Sequence, residues 1–142
     1  MKRILNVLFA LAVLLPSTST LYAQNACSSA TLNANYAVTF SGFGTLHKSV
    51  PAVPVAAVGV LSFDGAGNVS FSSLTLAFNG SISTETGSGS YTVNSDCTGS
   101  FSLSSGSIAG LTFNMVIIGG GTEVFGIITS PGNTQNFDAK KQ

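Results

Sequence analysis

Across residues 24–142, apolar side chains commonly fall on alternate positions, and no window repeats them at the spacing of a helix face. Tyr36, Val38 and Phe40 share one side of a first run, with Ala37, Thr39 and Ser41 on the other. Ala57, Gly59, Leu61 and Phe63 do the same in a second run. Side chains with a period of two belong to strands that bury one face. The chain is therefore expected to be all-β.

Turn chemistry separates the runs. Asp64-Gly65-Ala66-Gly67-Asn68 reads as a hairpin, because Asp and Asn bond their own backbone and Gly accepts positive φ. The third strand carries Val69 and Phe71, then Leu74, Leu76 and Phe78; the change of parity predicts a bulge near Ser72-Ser73. Asn79-Gly80 makes the next break, and Ser81 to Thr86, including Glu85, reads as a polar connection. A fourth strand spans about Gly87 to Val93, and a fifth carries Phe101 and Leu103. The sixth holds Leu111, Phe113, Met115 and Ile117, and Gly119-Gly120-Gly121 turns it into a seventh from about Glu123 to Thr129. A short eighth holds Phe137 and Ala139. Eight strands joined by short turns predict an antiparallel up-and-down β-barrel, which leaves no free edge; a β-sandwich is the alternative. A lipid-facing barrel would want aromatic girdles, and the chain has three Tyr and no Trp.

The first 23 residues read as a targeting segment. Lys2 and Arg3 precede the apolar run Ile4 to Leu15, Pro16 breaks it, and Leu21-Tyr22-Ala23 ends a small polar stretch. Twelve residues, interrupted by Asn6, are too few for a bilayer core that needs ~20, so cleavage and no remaining transmembrane segment are expected. The product is a single domain, 24–142, secreted or periplasmic. It keeps Lys48, Lys140 and Lys141 against five carboxylates, a net charge near −2 with no Arg. That balance excludes a nucleic-acid partner, which requires a basic surface. In an exported chain, Cys27 and Cys97 read as one disulfide.

Few groups are available for chemistry. His47 is the sole histidine, in a loop with Pro51 and Pro54, and no Gly-x-Ser-x-Gly elbow occurs, so a hydrolytic triad has little to build on. Asp64 and Asp96 sit in turns where Asp is favoured for its backbone bonds, and no carboxylate pair stands out for glycoside hydrolysis. Asp64 and Asn68 offer too few oxygens for calcium, and two Cys with one His cannot close a zinc site. The glycines at 119–121 precede no helix, which excludes a phosphate loop. No catalytic residue, cofactor or metal is expected. Glu123, on a strand face with Phe125 and Ile127, is either a rim residue or a carboxylate at a pocket mouth.

The apolar set Tyr36, Phe40, Phe63, Phe71, Tyr91, Phe101, Phe113 and Met115 either fills a core or partly lines a cavity. The candidate ligand-binding residues are Tyr36, Phe40, Tyr91, Phe113, Met115 and Glu123.

Three blocks carry a resemblance: Val58 to Asn68, Gly89 to Gly99, and the terminal Lys140-Lys141-Gln142, with Cys27 preceding Tyr36. Together the chain resembles a group of short exported bacterial proteins of unassigned function, which implies export and a shared β fold but no activity. On strand count it is also loosely similar to lipocalin-like and avidin-like barrels, although it lacks the Trp those families usually place near the first strand. The expected function is a secreted, non-catalytic, lipocalin-like barrel binding a small apolar ligand or glycan in or at its mouth. The alternative is a structural or adhesive extracellular protein with a filled core.

Overall fold

The computed structural model describes residues 26–45 and 51–142; the expected leader, 1–23, and His47 lie outside them. After a 3-10 turn at Ser29–Thr31 come eight strands: β1 (Asn33–Gly44), β2 (Val53–Asp64), β3 (Asn68–Phe78), β4 (Ser81–Val93), β5 (Thr98–Gly106), β6 (Thr112–Ile118), β7 (Glu123–Ile128) and β8 (Thr134–Lys141). Each pairs antiparallel with its predecessor, and β8 returns to β1 over Tyr36–Phe43, so the sheet closes as an up-and-down barrel rather than splitting into a sandwich. Closure leaves no unpaired edge.

Sequence pattern and burial agree strand by strand. β6 alternates exposed and buried from Thr112 to Ile118, with Phe113, Met115 and Ile117 inside. In β3 the register shifts between Phe71 and Leu74, which keeps both side chains inside across the Ser72-Ser73 bulge. β4 begins earlier than expected, at Ser81. Asn79 and Gly80 both have positive φ and form a two-residue turn, so Ser81 enters the ladder opposite Phe78 at once. The stretch Ser81–Thr86 is thus strand rather than connection; it lacks an apolar alternation because it stands exposed at one end of the barrel.

Six phenylalanines fill the middle of the interior. Phe101 stacks on Phe113 with centroids 4.1 Å apart and an interplanar angle of 11°. Phe40, Phe63, Phe71 and Phe137 close around this pair at tilted or edge-on angles. Gly126 admits the Phe137 ring: a Cβ there would lie 2.3 Å from Phe137 Cε1 and from the Asn114 carbonyl.

The outer face is mostly hydroxyl and amide. Ser62 Oγ donates to Asn35 Oδ1 (2.8 Å), Ser41 Oγ to Asn136 Oδ1 (3.2 Å), and Ser88 and Ser105 share a 2.6 Å bond across β4 and β5. A lipid-spanning barrel has the reverse arrangement, with an apolar outer band. Hydration here comes from neutral groups rather than charge.

Candidate functional site

The two ends of the barrel differ. One end, where β1 starts and β8 finishes, is plugged by the N-terminal segment. Cys27 is bonded to Cys97 in the β4–β5 turn, seventy positions away in sequence, and Leu32 is completely buried beneath the plug. Tyr91 Oη donates its proton to the Ser29 and Leu32 carbonyls (2.8 and 2.9 Å), and Tyr36 Oη donates to the Gly121 carbonyl at 2.6 Å. Gly121, at φ +94, has no room for a Cβ because the Thr31 carbonyl passes 2.3 Å from that position. The three-glycine turn therefore tucks under the plug.

Burial pushes both phenol pKa values up, and the neighbouring Tyr91 raises that of Tyr36 further. These are the only tyrosines in 24–142, so in protein prepared as residues 24–142 phenolate absorbance reports on the plug alone. A raised folded pKa means the stability these groups contribute is complete below the ordinary value of about 10 and is lost as pH rises through the folded value. A steep joint ionisation coinciding with loss of β-sheet circular dichroism is the expected result of alkaline titration. Two independent ionisations near pH 10 with the barrel intact would contradict the plug's geometry.

The other end is open. A cavity of about 270 Å³ enters the barrel there. Phe40, Phe71 and Phe113 form its floor, and Val55, Leu74, Leu76, Ile108 and Ile128 stand around it. Polar groups reach it from two sides. Thr45, Asn133 and Gln135 belong to the β8–β1 side, and Ser107 to the connection after β5. Gln135 is the one buried polar residue among those described, and its Nε2 donates to Asn133 Oδ1 at 3.0 Å.

The candidate residues are thus divided. Phe40 and Phe113 border the cavity together. Tyr36 and Tyr91 are at the plugged end, with their hydroxyls committed to backbone carbonyls. Met115 is buried in the lower core, its methyl lying over Gly99. Glu123 sits on the outer rim of the plugged end, where Lys140 Nζ approaches its Oε1 to 3.1 Å and Asp138 Oδ2 to 3.7 Å. Gln135 and Ile108 were missed. Gln135 shares the parity of Phe137 and Ala139, so extending the eighth strand by one step would have placed it inside. Ile108 lies in a connection, where periodicity carries no information.

The turn carboxylates are structural. Asp64 Oδ1 accepts from the Ala66 and Asn68 amides (2.8 and 2.9 Å), and Asn68's side chain and amide hold its pKa below the ordinary value. Asp96 is lowered by Thr98 in the same manner. No group of His, Cys, Asp and Glu among the described residues could hold a metal ion. No helix of the described residues is long and apolar enough to cross a membrane. No protein-family model, curated protein or solved structure matches this chain.

Proposed function

We propose that the protein is an exported, non-catalytic barrel that takes a small apolar molecule into the cavity at its open end. The observation that carries this reading is the asymmetry of the interior: aromatic packing and a covalently tethered plug at one end, an apolar chamber at the other. A dry apolar cavity of roughly 150 Å³ is enough for benzene, so about 270 Å³ suits a body of eight to ten carbons. The described lining is mostly hydrocarbon with a few neutral hydroxyls and amides, which suits an apolar body. Its hydrocarbon walls also favour an apolar body over a glycan, whose many hydroxyls would be left unpaired. The disulfide fits an oxidising compartment, in keeping with export.

Titration with 1-octanol, followed by amide NMR shifts, tests the cavity. The expected result is saturable binding with a Kd of about 1 mM or tighter and shifts centred on Leu74, Ile108, Phe113 and Ile128. Ala57→Phe, which fills the chamber from the β2 wall, should abolish it, and Ile108→Trp does the same from the connection if the first variant folds poorly.

A second reading rests on the outer face of β6 and β7. Val116, Ile118, Phe125 and Ile127 are 40–49% exposed there, and Val116 pairs directly with Phe125. Such a strip marks association surfaces when it is large. Absent octanol binding together with concentration-dependent sedimentation would favour the structural or adhesive role.

A further inference from the structure

Charge is distributed unevenly along the barrel axis. Asp64 and Asp96 occupy turns at the plugged end, and Glu123, Lys140 and Lys141 gather there too, with Asp138 alongside. Among the described residues, Glu85 alone carries charge at the open end. It is half-buried on β4 opposite Leu74, which borders the cavity, and Ser83 Oγ donates to its Oε1 at 2.6 Å. Ser107, another cavity residue, and Ser83 hold its carboxyl below the ordinary carboxylate range, so it is ionised at neutral pH. The β4–β5 wall lies across the ring from the β8–β1 side that carries Asn133 and Gln135.

We propose that the cavity selects apolar molecules with an amine head group over the corresponding alcohols, and alcohols over carboxylates, with Glu85 at the mouth deciding the order. The proposal rests on the cavity function stated above. An alkyl body in the chamber leaves its head group at the rim, in reach of the wall that carries Glu85. An ammonium there gains a fixed counter-charge. A carboxylate there meets the like charge of Glu85.

The probes are n-octylamine, 1-octanol and octanoate, titrated at pH 7 into the intact protein at low salt. Octylamine is expected to bind about three- to fivefold more tightly than octanol, the range of an exposed ion pair, and octanoate more weakly than octanol by a similar factor. Raising the salt should compress the order. Glu85→Gln should equalise amine and alcohol, and Glu85→Lys should invert the series. Octanoate binding as tightly as octylamine, or an order that persists in Glu85→Gln, overturns the selectivity and leaves the cavity function standing. Failure of all three probes overturns both.

Discussion

Replacing Phe101 by Ala is expected to cost about 3–5 kcal/mol, and replacing Phe113 only about 2–3 kcal/mol. Both rings are 2–3% exposed, so burial alone does not separate them. Their surroundings do. Phe101 is enclosed by Phe63, Phe71, Phe113 and Phe137, and truncating it opens a void in the packed middle of the barrel. Phe113 stacks on Phe101 with one part of its surface and borders the open cavity with another. Atoms that already face empty or wet space have fewer contacts to lose. Urea melts of the two variants beside wild type measure the difference. Equal losses would mean that the open end is filled in solution, and the structural or adhesive reading would then lead.

The architecture was legible because a period of two, glycine-bearing turns and strand count all point to one solution. The bulge at Ser72-Ser73 was visible for the same reason: only an extra residue keeps Phe71 and Leu74 on one face. Height along the barrel axis was not legible. Alternation says that Tyr36 and Tyr91 point inward but not whether they stand at the mouth or the base. The plug decides this, and it follows from the Cys27–Cys97 pairing, which returns the N-terminus to the β4–β5 turn. Glu85 was misread as connection because Ser81–Thr86 has no core to face. The turn at Asn79-Gly80 was the available signal, since a two-residue reversal requires a strand directly after it. Polar residues that line a mouth break the hydrophobic pattern by their nature, which is why pattern alone located the core better than the candidate site.

Removing the disulfide with the double variant Cys27→Ala/Cys97→Ala is expected to cost roughly 4 kcal/mol, from the loop-closure entropy of a seventy-residue separation. The loss should be structurally local as well. Without the tether, the segment Ala26–Leu32 is held at the base by the Tyr91 bond to the Ser29 and Leu32 carbonyls, the Cys27 amide bond to the Ser95 carbonyl at 3.3 Å, and burial of Leu32. Each such hydrogen bond contributes about 1 kcal/mol net, too little to replace the covalent link. The plug therefore opens more often, acrylamide quenches tyrosine fluorescence more strongly, and both phenols ionise at lower pH than in wild type. Octanol affinity at the far end should be unchanged, because the six phenylalanines separate the plug from the cavity. A loss below about 1 kcal/mol would assign the plug's stability to Leu32 and the tyrosines. Loss of octanol binding with the barrel's circular dichroism retained would instead show that the two ends communicate through the aromatic layer, against the division of the interior drawn here.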